Sequence, residues 1–84
     1  TLTTAPNPFS HHTNITFLLD RPQKVSLTVY DVTGKLVRQL VNQQSYEAGS
    51  HTLSFEGTGL MSGVYFCSLR TEEEEVTKKL MMVE

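Results

Sequence analysis

The chain has 84 residues, a formal net charge of −2 and a single cysteine, Cys67. A chain of this length forms one small domain with a thin core, and a single cysteine excludes an internal disulfide bond. The slightly acidic balance argues against a nucleic-acid-binding protein, which needs clustered lysine and arginine. No apolar stretch approaches the ~20 residues of a membrane-spanning helix, so we expect no membrane insertion.

The first residues are rich in threonine and show no strong strand or helix pattern. We interpret residues 1–5 as the end of an upstream linker and residues 6–84 as the domain itself. We expect a short pairing segment around Pro8-Phe9. The first full strand is predicted over residues 14–19, which combine isoleucine, threonine and phenylalanine and stop before a proline.

A hairpin is predicted in the next part of the chain. Residues 24–32 alternate apolar and polar side chains, which is typical of a strand with one buried face. Gly34 can adopt the left-handed backbone conformation that a tight hairpin turn requires. We therefore expect residues 35–41 to return as an antiparallel strand.

Three further strands are predicted in the second half of the chain. We expect residues 42–47, which are mostly polar, to form a loop before a strand over residues 50–56. The next strand, residues 64–70, is almost entirely apolar, which indicates a central strand covered on both faces. Its cysteine is expected to be a buried and inert thiol. A charged turn then leads to the last strand, residues 76–83, so that the chain ends as a folded feature at Glu84.

Six to seven short strands separated by turns predict an all-β domain, an immunoglobulin-like antiparallel β-sandwich in which two sheets face each other. The period-two pattern assigns one face of each strand to the core. The predicted core residues are Val25, Leu27, Val29, Leu53, Phe55, Val64, Phe66, Leu69, Leu80 and Met82.

No residue pattern points to catalysis. His11 and His12 are adjacent, so in a strand they face opposite sides, and His51 lies far away in the sequence. No serine lies in a G-x-S-x-G elbow, and a small sandwich has little room for a cleft in which two carboxylates could act as acid and base. We expect no enzymatic activity, no bound metal and no cofactor.

Four short motifs follow one another along the chain. They are Pro6-Asn7-Pro8-Phe9, Val29-Tyr30-Asp31-Val32-Thr33-Gly34-Lys35, Leu60-Met61-Ser62-Gly63-Val64-Tyr65-Phe66 and the basic-then-apolar Lys78-Lys79-Leu80-Met81-Met82-Val83. In this order and spacing they resemble the type A C-terminal sorting domain of the type IX (Por) secretion system of Bacteroidetes-type bacteria. The resemblance covers residues 6–83. It places family motif positions at Pro6, Asn7, Pro8, Phe9, Asp31, Gly34, Gly63 and Tyr65.

The resemblance implies that the domain is a secretion signal. It implies that the type IX translocon recognises the domain and directs a larger cargo protein, N-terminal to it, across the outer membrane. It also implies transit through the periplasm, delivery to the cell surface or the medium, and removal by a surface-processing protease.

Under this resemblance we expect the translocon to recognise the last strand. The residues concerned are Lys78, Lys79, Leu80, Met81, Met82, Val83 and Glu84. A strand at a sheet edge can offer backbone polar groups and basic side chains to a partner. Because the two lysines point to opposite faces of a strand, we expect only one of them to be free to bind.

A second class of function is open at this point. The aspartate-glycine hairpin and the Gly-Val-Tyr-Phe strand are also similar to the immunoglobulin-like domain of flagellar hook-capping proteins. On that interpretation the domain is a non-catalytic structural or accessory module of a secreted enzyme or of a hook-capping-type protein. The two interpretations differ in position, because a sorting domain must be the last domain of its precursor and a spacer need not be.

Overall fold

Seven β-strands and no helix make up the computed structural model, which describes all of residues 1–84. The strands are β1 (Leu2–Ala5), β2 (His12–Leu19), β3 (Gln23–Asp31), β4 (Leu36–Tyr46), β5 (Gly49–Glu56), β6 (Gly63–Arg70) and β7 (Glu75–Met82). They form two sheets with the strand orders β1-β2-β5 and β4-β3-β6-β7. The predicted all-β sandwich is confirmed. No segment is a helix of the length and apolarity needed to cross a membrane.

Neighbouring strands within each sheet are antiparallel. In the four-stranded sheet, β3 lies between β4 and β6, and β7 forms the edge beside β6. The register places Asp31 beside Tyr65 and Tyr65 beside Leu80, so the ends of three strands are aligned. Across the sandwich, β1 of the other sheet contacts β7.

The core lies between the two sheets and is built from the side chains that alternate inwards along each strand. Phe9, Phe17 and Phe55 are its largest fully buried side chains. The rings of Phe9 and Phe55 meet edge to face with centroids 5.9 Å apart. The apolar core consists of Leu2, Phe9, Ile15, Phe17, Leu19, Val25, Leu27, Val29, Val41, Phe55, Tyr65, Cys67, Leu69, Leu80 and Met82.

Three predicted core residues, Leu53, Val64 and Phe66, are only half-buried. Strand β6 turns Tyr65 and Cys67 into the core and leaves its valine and phenylalanine on the outer side. The expectation that this strand is covered on both faces is wrong, because the sandwich has only two layers and the outer side of the four-stranded sheet faces solvent. The apolar side chains on that side are shielded only by their neighbours in the sheet.

Strand β4 runs as far as Tyr46, so most of the polar stretch that we expected to be a loop is strand. β4 is an edge strand of its sheet, where the polar side chains of residues 42–45 face water, so no apolar pattern marks that part of the strand. Register shifts interrupt its pairing with β3 at three points, and Gln43, in the bulge at the first of them, has a φ of 52°. The Gln43 N–H donates to the Ser26 hydroxyl at 3.0 Å, which satisfies a group that the bulge takes out of the ladder.

The first residues form a strand where we expected a linker. β1 pairs with β2 from Leu2 opposite Phe17 to Ala5 opposite Asn14. Leu2 is only 2 % exposed. This one buried leucine attaches the strand to the core, while the threonines around it give the segment the composition of a linker.

We expect Phe55→Ala to lower the free energy of unfolding by about 3–5 kcal/mol, because it removes a fully buried ring and leaves a cavity beside Phe9. Chemical denaturation followed by circular dichroism measures the change. Leu18→Ala is the matched control, because Leu18 is 54 % exposed and its truncation should change the value by less than ~0.5 kcal/mol. Equal stability of the two variants would contradict the assigned core.

Candidate recognition surface

The last strand, where we expected recognition, divides into exposed and buried side chains. The exposed ones are Lys78, Lys79, Met81, Val83 and Glu84, and the buried ones are Leu80 and Met82. The alternation of the strand places Lys79 with Met81 on the outer face of the sheet. Lys78 shares the core-facing side with Leu80 but is exposed at the rim of the sandwich. The two lysines therefore present their charges on different surfaces.

Residues 6–9 form a strap that covers the outer edge of β7. The side-chain carboxamide of Asn7 accepts a hydrogen bond from the Met81 N–H at 3.0 Å and donates one to the Lys79 carbonyl at 2.9 Å. A carboxamide combines a donor and an acceptor, so it can pair with a strand as a neighbouring peptide group would. Asn7 thus pairs with β7 through its side chain, and its backbone takes no part in these two hydrogen bonds.

Phe9 continues this pairing with its backbone. The Phe9 N–H donates to the Met81 carbonyl at 2.9 Å, and the Val83 N–H donates to the Phe9 carbonyl at 2.8 Å. The segment runs parallel to β7 at Met82, and the Phe9 ring is 2 % exposed in the core. The short pairing expected around Pro8-Phe9 is confirmed.

The strap changes which groups of the last strand are free. Its hydrogen bonds occupy outward backbone groups of Lys79, Met81 and Val83. The expectation that this edge offers its backbone to a partner is wrong over that stretch, because those groups are already paired within the domain. Exposed side chains are what remains for a partner to contact there.

The carboxylate of Asp31 closes the hairpin between β3 and β4. One of its oxygens accepts hydrogen bonds from the Thr33 hydroxyl at 2.6 Å, the Thr33 N–H at 2.9 Å and the Lys35 N–H at 3.1 Å. The bond from the Thr33 hydroxyl contributes most to lowering the pKa of Asp31 below its usual value, and the backbone bonds and the Lys35 charge lower it further. Gly34 completes the turn with a φ of 86°, which confirms its predicted role.

Gly63 and Tyr65 lie at the start of β6, next to the loop that precedes it. Gly63 has a φ of 148°, a conformation that favours glycine. The Tyr65 ring is buried, and its hydroxyl donates to the carbonyl of Met61 in the preceding loop. The motif glycine and tyrosine therefore fix the path of that loop.

The motif residues are far apart in the sequence and meet at one end of the sandwich. The hairpin at residues 31–35 lies beside β6 through the pairing of Asp31 with Tyr65, and β6 lies beside the last strand. The strap then covers the far edge of that strand. We call this part, formed by residues 6–9, 31–35, 57–63 and 80–84, the distal end.

Two polar residues hold the strap in ways that the sequence reasoning did not assign. Thr13 is fully buried, and its hydroxyl donates to the Pro6 carbonyl at 2.6 Å. The role of Asn7 was also missed, although it was a motif position. The signal that could have revealed it is its place between Pro6 and Pro8, because prolines have no N–H and leave the asparagine side chain to donate.

His51 and Cys67 lie outside the distal end, on β5 and in the middle of β6. Nowhere do three or more His, Cys, Asp or Glu side chains come together as metal ligands. His51 packs against Tyr46, with ring centroids 4.8 Å apart, and its Nε2 lies 2.7 Å from the Glu47 carbonyl. Cys67 is buried, and burial raises the pKa of its thiol to about 12, which keeps it protonated.

Comparison with known families gives one match. The family model described as "Secretion system C-terminal sorting domain" matches residues 4–83, nearly the whole chain. No curated protein sequence matches the chain. The matched span contains all of the motifs, the strap and the last strand, so it favours the first of the two functional interpretations.

We expect Asp31→Ala to destabilise the domain at neutral pH, because the hairpin loses the hydrogen bonds to the carboxylate. The pKa of Asp31 is lower in the folded state than in the unfolded state. Its stabilisation is therefore present above about pH 4, the ordinary aspartate range, and is lost as the pH falls through the lowered value. The stability difference from the unmodified chain should shrink in acid.

Denaturation curves recorded at a series of pH values measure this difference. Asp20→Ala is the control, because Asp20 is an exposed aspartate at another turn. A loss of stability in Asp31→Ala that does not vary with pH would contradict the role given to the ionised carboxylate.

Asn7→Ala should loosen the strap and fray the end of β7, because the Met81 N–H and the Lys79 carbonyl lose their partner. We expect a loss of stability of about 1 kcal/mol and faster hydrogen exchange at the amide of Met81. Asn14→Ala is the matched control, because Asn14 is an exposed asparagine on β2. Unchanged exchange at Met81 in Asn7→Ala would contradict the assigned hydrogen bond.

Proposed function

The chain belongs to the family of secretion system C-terminal sorting domains, and we propose that the type IX apparatus recognises it as a folded domain. A domain of this family is the sorting signal of a type IX cargo protein, which lies N-terminal to it and is exported to the cell surface or the medium. The observation that carries the proposal is the strap, because Asn7 and Phe9 fix the last strand in the sandwich.

The folded strand supports recognition through a defined subset of side chains. In an unfolded tail every side chain of this segment would be equally available. In the domain, Leu80 and Met82 are buried and the residues between and beside them are exposed. We place the translocon contact on Lys78, Lys79, Met81, Val83 and Glu84. The two buried residues support this surface from behind.

We propose that the domain acts as a sorting signal and has no catalytic role. The polar groups of its motifs are engaged in holding the fold. The Asp31 carboxylate is occupied by the hairpin, and the Tyr65 hydroxyl is occupied by a loop carbonyl. A catalytic group would need its polar atom directed at a bound substrate.

On the export route, we place the domain first in the periplasm and then at the outer membrane, where the translocon takes up the cargo. A surface-processing protease would then release the cargo from it. We place the start of the folded signal at β1 and not at Pro6, because the buried Leu2 makes β1 part of the core.

A reporter protein tests the proposed function. The reporter carries an ordinary signal peptide at its N-terminus and residues 1–84 at its C-terminus, and it is expressed in a cell with a type IX apparatus. We expect it at the cell surface or in the medium. We expect it in the periplasm when the apparatus is deleted or the domain is removed. Immunoblots of the medium, the surface and the periplasm measure the exported fraction.

A variant separates folded from linear recognition. Leu27→Asp places a charge at a fully buried position of β3 and leaves every residue of the last strand unchanged. We expect it to stop export, because the domain no longer folds. Thr52→Asp, at an exposed position of β5, is the control and should be exported. Export of the unfolded Leu27→Asp fusion would contradict recognition of the folded state.

A further inference from the structure

The outer face of the four-stranded sheet carries an apolar surface that the core does not use. One cross-strand row runs from Leu36 through Tyr30 and Phe66 to Lys79, and the next row contains Val64 beside Met81. Leu36 is 48 % exposed and Met81 is 37 % exposed. These six residues cross all four strands at the distal end, and we call them the distal stripe.

On the outer face of the four-stranded sheet, the apolar side chains are confined to this end. Farther along the same face the rows consist of Ser26, Thr28, Ser68 and Thr77 with their neighbours. On the outer face of the other sheet, threonines stand opposite one another, and the hydroxyls of Thr16 and Thr52 are 2.9 Å apart. An apolar cluster on an otherwise polar sheet face is typical of a protein contact site.

Lys79 is the only charged side chain within the two rows of the stripe. The domain forms two ion pairs, Arg21 with Glu73 and Arg70 with Glu75, and Lys79 takes part in neither. Lys79 is exposed and is the cross-strand partner of Phe66. A partner that covered the stripe would remove water from this charge. It would therefore have to supply a carboxylate to pair with the ammonium group.

The stripe lies away from the point where the cargo is joined. The Thr1 carbonyl accepts a hydrogen bond from the Leu18 N–H at 3.2 Å, and Thr1 lies beside Glu73 and Glu74 at the turn before β7. β7 leads from that turn to the distal end, and the domain is 37 Å in its longest dimension. A cargo attached before Thr1 therefore leaves the stripe open.

The strap extends the stripe around the edge of the sheet. Pro8 and Asn7 line a shallow open hollow together with Lys79 and Met81 on the outer face of β7. A bound partner could therefore contact the stripe and the strap at once. Only the folded domain places these segments side by side.

We propose that the distal stripe is the surface on which a protein of the type IX apparatus docks. The partner presents an apolar contact area to Leu36, Tyr30, Phe66, Val64 and Met81, and a carboxylate to Lys79. This inference rests on the proposed function and assigns it a surface. Of the two lysines of the last strand, only Lys79 lies on this face.

The reporter fusion is the assay. We expect Lys79→Glu, and separately the pair Leu36→Glu/Met81→Glu, to lower the exported fraction at least ~10-fold, as expected for residues at the centre of an interface. All three positions are exposed, so the variants should fold. Circular dichroism and thermal unfolding of the 84-residue chain verify this. If the double variant unfolds, Lys79→Glu decides alone.

Two controls match these changes. Lys24→Glu makes the same charge reversal at an exposed lysine of β3, at the opposite end of the same sheet. Leu18→Glu places a charge at an exposed leucine on the outer face of the other sheet. Both should be exported as well as the unmodified domain.

Each result supports or overturns the inference. Full export of the folded stripe variants overturns it, and so does an equal loss in the two controls, because any surface charge would then suffice. If the unmodified fusion stays in the periplasm, the proposed function itself fails before any variant is compared. A chain that dimerises in analytical ultracentrifugation through Met81, with export unaffected by Met81→Glu, assigns the stripe to a second copy and overturns the docking proposal.

Discussion

The hydrogen bonds from Asn7 and Phe9 to β7 determine the structure of the whole distal end. A strand at the edge of a sheet leaves its outward N–H and C=O groups unpaired, and here the strap pairs those of the last stretch. With β7 held from both sides, Met82 turns inwards and packs against Gly57. A β-carbon on Gly57 would lie 2.8 Å from the Met82 sulfur. The loop that starts there thus rests directly on the last strand.

Alternation along single strands was sufficient to predict most of the fold. Val25, Leu27 and Val29 are buried as their period-two pattern indicates, and Gly34 makes the turn that its backbone freedom allows. The pattern failed where a strand's environment differs from what its composition suggests. Leu2 is one buried side chain among threonines, and a single residue gives no period.

The prediction failed in two opposite ways, at the polar part of β4 and at the apolar outer side of β6. The first is a strand because its backbone pairs at a sheet edge, which side chains alone do not reveal. The second contains apolar side chains, Val64 and Phe66, that face outwards, so their apolar character does not indicate a place in the core. Of the candidate site, the sequence identified the segments through their motifs. Their meeting at one end, and the alignment of the stripe, depend on strand order and register across bulged strands.

The strap joins residues that are separated by more than seventy positions in the chain, since Asn7 bonds to Lys79 and Met81. Contacts of such long sequence separation form only when both segments are present and close in space. A polypeptide cut short before residue 79 lacks the strand that the strap covers, and its distal end stays open. The recognition surface is therefore complete only when β7 is present. The fold thus makes this surface depend on both ends of the domain, because residues 6–9 and β7 pair with each other there.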